Sequence, residues 1–218
     1  MQSFIIIAAG APPTKKLLTQ EITSNSTIIA VDGGANCLRK YHIMPHYLIG
    51  DLDSIAANTL EFFTKQNLPV ERYPRDKDTT DTNLALQKAI SLGATKIVFL
   101  GCLGGKRTDH LLGALGLLAT CLELKIPAYL KDDYQIISLL DSSTTISGNY
   151  GSVFSLQPYG YSVKNLTIRN SKYELNNYEL KMGDVLTLSN EIRDQDVIVQ
   201  FTSGRLLLIQ NYETEVVK

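Results

Sequence analysis

Four acidic clusters recur along the first half of the chain, each following a short strand-like run. Residues 28–31 lead into Asp32-Gly33-Gly34, and residues 47–49 into Gly50-Asp51-Leu52-Asp53-Ser54. Residues 70–73 lead into Asp76-Lys77-Asp78-Thr79-Thr80-Asp81, and residues 97–100 into the loop that carries Gly105-Lys106-Arg107-Thr108-Asp109-His110. Apolar runs that end in carboxylates are what parallel strands look like when they deliver functional side chains to one edge of a sheet. Carboxylates gathered there repel one another unless a cation sits among them. A hard cation shared between aspartates and substrate phosphates is the usual setting of magnesium, so the pattern predicts a Mg2+-dependent enzyme acting on a phosphorylated nucleotide.

Composition removes several alternatives. The 218 residues are 44% hydrophobic and 20% charged, ordinary for a folded globular chain. A formal net charge of −1, with basic residues no denser than the pair Lys106-Arg107, argues against general nucleic-acid binding. Cys37, Cys102 and Cys121 are far apart with no Cys-x-x-Cys, which fits packing thiols in a reducing compartment. The apolar run at residues 4–9 is too short to span a membrane and has no basic lead-in. It reads as a first buried strand, and the expected location is cytoplasmic.

Up to about residue 140, strand-like runs alternate with helical periodicity at residues 14–23, 35–41, 56–66, 82–92 and 110–124, the signature of βαβ units. Leu111, Leu112, Leu115, Leu118, Ala119 and Leu122 repeat at three and four residues, which predicts a central helix packed on the sheet. Beyond Asp141 that period gives way to short alternating segments at residues 152–157, 162–169, 185–189, 197–202 and 205–210. Turns are expected at Asn149-Tyr150-Gly151, Asn176-Asn177, Met182-Gly183-Asp184 and Ser203-Gly204. The prediction is an N-terminal three-layer α/β domain with a mostly parallel sheet, residues 1–142, followed by an antiparallel β-sandwich domain, residues 143–218.

Each cluster has a plain structural explanation beside the functional one. Asp32 followed by two glycines suits a ligand approaching the backbone before a helix, and equally an N-capping turn. Asp51 and Asp53, at i and i+2, point to the same side of an extended chain and can share a cation. A cap for the next helix explains only one of them. Thr80 or Asp81 fits the start of the helix at residue 82 whether or not metal is bound, but that leaves Asp78 over. The Gly104-Gly105-Lys106-Arg107 loop lacks the Lys-Ser/Thr ending of a P-loop. It presents Arg107, with Asp109, to phosphates or to a purine edge. His110 fits a helix start better than a general base, and His42 and His46 flank Pro45 in a connection.

Taken in order, Asp-Gly-Gly-Ala-Asn, Gly-Asp-Leu-Asp-Ser, Asp-Lys-Asp-x-Thr-Asp and Gly-Lys-Arg-x-Asp-His resemble the signature of the thiamine pyrophosphokinase family. Leu188-Ser189-Asn190 and the strand after Ser203-Gly204-Arg205 are similar to its second-domain segments. The resemblance implies transfer of a pyrophosphoryl group from ATP to the hydroxyl of thiamine, giving thiamine diphosphate and AMP. It implies a homodimer whose thiamine site lies between the α/β domain of one subunit and the β domain of the other. It assigns Mg2+ to Asp51, Asp53 and Asp81, and the path of the phosphates or thiamine to Lys77, Asp78 and Thr80. Asp32 supports the nucleotide site, Arg107 and Asp109 contact ATP, and Ser189 with Asn190 meets thiamine. If a proton acceptor is used, Asp51, Asp78 and Asp81 are the candidates.

Two departures stand out. Some members cover the thiamine ring with a tryptophan near the last strand, and this chain has none, which leaves a tyrosine such as Tyr159, an aliphatic residue such as Leu206, or a thiamine held less tightly. The run Gly101-Cys102-Leu103-Gly104-Gly105-Lys106 is also one residue longer than the family's usual loop. The competing classes are a catalytically idle nucleotide sensor, which loss of several acids would favour, and a nucleotide-sugar transferase. The latter leaves the 76–81 loop and the Arg107-Asp109 pair unexplained.

Overall fold

Phe4, Ile5, Ile6 and Ile7 are all completely buried, as a strand covered on both faces requires. They belong to β1 (Ser3–Ile7) in the computed structural model, which describes residues 2–105 and 107–212. Helix and strand then alternate through α1 (Lys15–Glu21), β2 (Ser26–Val31), α2 (Gly34–Lys40), β3 (Tyr47–Gly50) and α3 (Ala57–Lys65). They continue through β4 (Val70–Arg72), α4 (Asp81–Ser91), β5 (Lys96–Leu100), α5 (Thr108–Glu123) and β6 (Ala128–Lys131). The strands lie in the order β6-β5-β1-β2-β3-β4, and each neighbouring pair is parallel.

Alternation along the strands builds three layers. Ile5, Ile7, Ile28, Ala30 and Leu48 form one core with Leu17 and Leu18 of α1, Leu38 of α2 and Phe63 of α3. Phe4 and Ile6 point the other way, to the side where α4 packs on β1, β2 and β3 through its buried Ala85, Leu86 and Ala89. The order reverses at β1, where β2 lies on one side and β5 on the other, and open parallel sheets take ligands beyond the strand ends near such a reversal. The periodicity placed the helices to within two residues at each end. One placement needs correction: α5 contacts β6 and α4 and leaves Leu112 exposed, so it flanks this sheet and is not its central helix. Among the described residues, no helix is long and apolar enough to cross a membrane.

The chain divides into two compact units after Asp133. The second contains β7 (Gln135–Leu140), β8 (Thr144–Ile146), β9 (Val153–Pro158), β10 (Val163–Arg169), β11 (Leu175–Leu180), β12 (Asn190–Glu191), β13 (Val197–Gln200) and β14 (Leu206–Asn211). They form two layers, β12-β9-β14-β7 and β11-β10-β13-β8, with antiparallel pairing throughout. Phe154, Leu156, Leu206 and Leu208 of the first layer share a core with Ile146, Leu166, Ile168, Val197 and Val199 of the second, as in a sandwich.

Three expectations fail here. Residues 185–189 form turns and bends, not a strand: Thr187 is the buried member, its hydroxyl donating to the Leu156 carbonyl at 2.6 Å, while Val185, Leu186 and Leu188 face outward. Asn176-Asn177 lies inside β11, not at a turn, with Asn177 left-handed (φ 51°) where the β10–β11 register is irregular. Leu206 is fully buried in the sandwich core, so of the two residues proposed in place of tryptophan only the half-buried Tyr159 remains.

Candidate active site

Asp32 leaves β2 in a left-handed conformation (φ 44°), and its Oδ1 accepts the Leu52 N–H at 2.9 Å. The carboxylate crosses the end of β3 so closely that a Cβ at Gly50 would lie 1.9 Å from Asp32 Oδ1. Gly50 also has φ 146°, which side chains rarely adopt. Beyond it the chain doubles back: Leu52 is left-handed (φ 67°), and Asp51 Oδ1 accepts the Asp53 N–H at 3.0 Å. Residues i and i+2 share a side only on an extended backbone, which Leu52 interrupts, and Asp53 lies outside the group that Asp51 joins. Asp51 faces Asp32, whereas the Asp53 side chain is 52% exposed with Arg75 Nη2 at 3.9 Å.

Asp81, in the first turn of α4, completes the group. One carboxylate oxygen from each of Asp32, Asp51 and Asp81 lies within 4.8 Å of the others. Asp81 is placed by the Thr80 N-cap, whose hydroxyl accepts the Asn83 N–H at 3.2 Å, a cap contributing about 1 kcal/mol. Thr79 Oγ1 also accepts from Asn83 Nδ2 at 2.8 Å. Capping and clustering are therefore two consequences of one local structure.

The electrostatics are unfavourable as they stand. Asp32 is 8% exposed. Burial first, then the charges of Asp81, Asp51 and Asp53, push its carboxyl up to about 6 against the opposing effect of the Leu52 N–H. Asp81 Oδ1 is buried and accepts no hydrogen bond. Lys77 Nζ lies 3.1 Å from it as an ion pair but off the direction of a hydrogen bond, donating instead to the Pro74 carbonyl at 2.8 Å. A buried anionic oxygen without a hydrogen bond is costly. Oxygen-only donors at this spacing fit a hard divalent cation.

Further hydrogen bonds hold these loops together. The Gly33 N–H donates to Ser54 Oγ at 2.9 Å, Asn36 Nδ2 to the Ser54 carbonyl at 3.3 Å, and the Ala56 N–H to Asn36 Oδ1 at 3.0 Å. The sequence reading missed these ties. Their signal was the polar residue that closes each of the first two motifs.

The remaining expected residues are placed as follows. Asp78 and Thr80 are exposed. Arg107 forks onto Asp109, Nε–Oδ1 2.9 Å and Nη2–Oδ2 2.6 Å, which holds the Asp109 carboxyl well below the usual carboxylate range. Lys106 lies outside the described residues. His46 Nδ1 accepts the Ile28 N–H at 3.0 Å, a structural role, and His110 is exposed. A cavity of about 320 Å3 opens beside the turn after Asp32, lined by Ala8, Ala9, Gly10, Gly33, Gly34 and Cys37 among others. A Cβ on Gly34 would meet the Ile7 carbonyl at 2.1 Å, so glycine is what lets α2 start this close to β1.

In the second unit Ser189 is exposed with φ 53°, and its N–H donates to Ser155 Oγ at 3.0 Å. Asn190 is 2% exposed. Its Oδ1 accepts the N–H groups of Tyr173 and Glu191, and its Nδ2 donates to Ser171 Oγ and the Tyr173 carbonyl. The amide is fully engaged in holding the 171–173 turn.

Comparison with known proteins gives a consistent result. Residues 18–130 match the family described as thiamin pyrophosphokinase, catalytic domain, and residues 142–206 match thiamin pyrophosphokinase, vitamin B1 binding domain. Thiamine pyrophosphokinase of Bacillus subtilis is 29% identical over 216 residues, covering 97% of this chain and 99% of its own. Thiamine pyrophosphokinase 2 of Arabidopsis thaliana is 30% identical over 185 residues, covering 78% of this chain and 67% of its own. The crystal structure of the Bacillus subtilis enzyme superposes with a TM-score of 0.85 at 28% identity, covering 97% of this chain and 100% of that one.

Proposed function

The chain belongs to the thiamine pyrophosphokinase family, and from that premise we propose how its carboxylate edge, its cavity and its second unit divide the work. The reaction is ATP-dependent synthesis of thiamine diphosphate: the thiamine hydroxyl oxygen bonds to the β-phosphorus of ATP, the bond from that phosphorus to the α,β-bridging oxygen breaks, and AMP leaves. Asp51 and Asp81, together with Asp32, would hold Mg2+. The observation that carries this assignment is the convergence of three carboxylates, one of which, Asp81, also has a buried oxygen that accepts no hydrogen bond. Bound there, Mg2+ would supply neutralisation of charge on the phosphate oxygens.

The other roles belong to the chain itself. Asp53, in the same turn as Asp51, adds negative charge at the rim, as its effect on Asp32 indicates. Asp78, exposed and outside the three-carboxylate group, takes the proton of the thiamine hydroxyl. Arg107 exchanges Asp109 for phosphate oxygens, for which a planar guanidinium is suited, and Asp109 orients it until then. Thr80, capping α4 through its oxygen, keeps its hydroxyl proton for a phosphate. The cavity beside Gly33 and Gly34 takes the nucleoside part of ATP.

Thiamine meets Ser189, while Asn190 holds the backbone that presents it. We assign a homodimer, because Met182, Val185, Leu186 and Leu188 expose neighbouring apolar side chains in the segment leading to Ser189, a surface monomers seldom leave open. The deciding experiment follows AMP and thiamine diphosphate together by chromatography, with Mg2+ and with a chelator, beside light scattering for the oligomeric state. Equal yields of both products that vanish with the chelator support the scheme. Undiminished turnover in chelator removes the metal from it, and a monomer at working concentration removes the shared site.

A further inference from the structure

Among the described residues Lys77 is a cation in contact with the three-carboxylate group, and its position is awkward for an enzyme that must admit a metal there. Its Nζ lies 3.1 Å from Asp81 Oδ1, with the two side chains only 12% and 19% exposed. The ammonium is anchored by donating to the Pro74 carbonyl at 2.8 Å, so the contact is built in and is not a surface encounter. Yet it gives Asp81 Oδ1 no hydrogen bond. The ammonium offsets charge without completing the oxygen's coordination. A divalent ion using that oxygen would have to approach against a like charge a few ångströms away. Lys77 precedes α4 in a loop, so its side chain can leave without disturbing the helix, and phosphate oxygens offer it a stronger partner than a carbonyl.

From this arrangement we infer that Lys77 is a resident counter-ion that opposes metal binding at Asp81 in the nucleotide-free enzyme and yields when phosphates arrive, coupling metal and nucleotide binding. The inference rests on the metal assignment proposed above. The coupling is reciprocal: whatever removes the ammonium favours the metal, and the metal favours transfer of the ammonium to phosphate. Lys77 is thus a positioning residue that couples the two binding events.

The test is Mn2+ binding to the full chain without nucleotide, read from the EPR signal of free Mn2+, for wild type, Lys77→Met, Lys77→Gln, Asp81→Asn and the Lys77→Met/Asp81→Asn double variant. Both Lys77 variants are expected to bind Mn2+ about tenfold more tightly, within the usual range of coupling between sites. The double variant should be no tighter than Asp81→Asn. Affinity for ATP in chelator should fall in Lys77→Met, because the phosphate partner is lost. A lysine that merely held the loop could not give tighter metal binding when removed. Unchanged or weaker Mn2+ binding in both Lys77 variants, with Asp81→Asn still weakened, overturns the role of Lys77 alone. Mn2+ binding that is indifferent to Asp81→Asn overturns the metal assignment and this inference with it.

Discussion

Asp32 and Asp109 both follow strands of the same parallel sheet, yet their surroundings are opposite. Asp109 is exposed and gripped by Arg107 through two nitrogens, which holds its carboxyl well below the usual range. Asp32 is 8% exposed and shares its space with Asp51 and Asp81, and burial pushes it up to about 6. The loops after β2, β3 and β4 are thus assembled against repulsion that an added cation relieves. Arg107 and Asp109, after β5, satisfy each other and would have to part for either to engage a ligand. Stability given up at a functional site in this way is held by the rest of the fold. Here the holding is done by Asn36, Ser54 and Gly50.

The largest test of that contrast removes one charge from the crowded side. Asp51→Asn or Asp81→Asn should lower kcat on the order of 10²–10³-fold, the scale of losing one preorganised electrostatic group; metal-free Asp51→Asn should melt no lower than wild type because a repulsive charge has gone, whereas Asp81→Asn also strips Lys77 of its ion-pair partner. Near-normal turnover of either variant at saturating Mg2+ would show that the cluster is not the metal site. Gly50→Ala attacks the geometry instead. The added Cβ would sit 1.9 Å from Asp32 Oδ1 at a φ of 146°, so a loss of about 3 kcal/mol is expected in urea unfolding. Much of that loss should return in an Asp32→Ala background. A loss under about 1 kcal/mol would mean that Asp32 is not pressed against β3.

A pH series sharpens the comparison further. Asp32 keeps its proton to about pH 6 in the folded protein against a reference value of 3.8, so between those values the folded state binds more protons than the unfolded one. Stability of the metal-free protein therefore falls as pH rises through that window, by about 2–3 kcal/mol, and stays lowered above it. Asp32→Asn should abolish this part of the slope, measured as the wild-type minus variant difference at pH 4.5 and pH 7. A difference that does not change with pH would place Asp32 in contact with water or with an unseen partner. Asp109 predicts the reverse pattern: its depressed carboxyl loses favourable pairing only on acidification, and its exposure makes that contribution small.

Much of this contrast was legible in the residue order. The helices followed from apolar spacing at three and four residues, and the acids were found because each trails an apolar strand. What could not be read was how the backbone turns between them. Leucine is not a residue expected at positive φ, so nothing in Asp51-Leu52-Asp53 announced that the backbone would turn between the two acids. Asp32 was read as a supporting residue because its burial depends on the missing Cβ of Gly50, a contact between strands that no local pattern encodes. The segment at 185–189 was misread for a related reason: alternation identifies two faces but not which is inward, and the hydroxyl of Thr187 found a buried carbonyl while its apolar neighbours did not.

The smallest expected effect lies on the satisfied side. Arg107 and Asp109 are 66% and 63% exposed along their side chains, so the pair is screened and contributes little to folding. Arg107→Ala should leave the unfolding midpoint nearly unchanged while raising the KM for ATP about tenfold, the loss of one charge-assisted contact. Asp109→Asn should do less, since it frees the guanidinium without removing it, and a small decrease in KM would indicate that the pair must open before ATP binds. A fall in kcat at constant KM for Arg107→Ala would move the guanidinium onto the transferring group. Both sides of the edge would then act on the same phosphate, one through a cation the carboxylates recruit and the other through a cation the chain supplies.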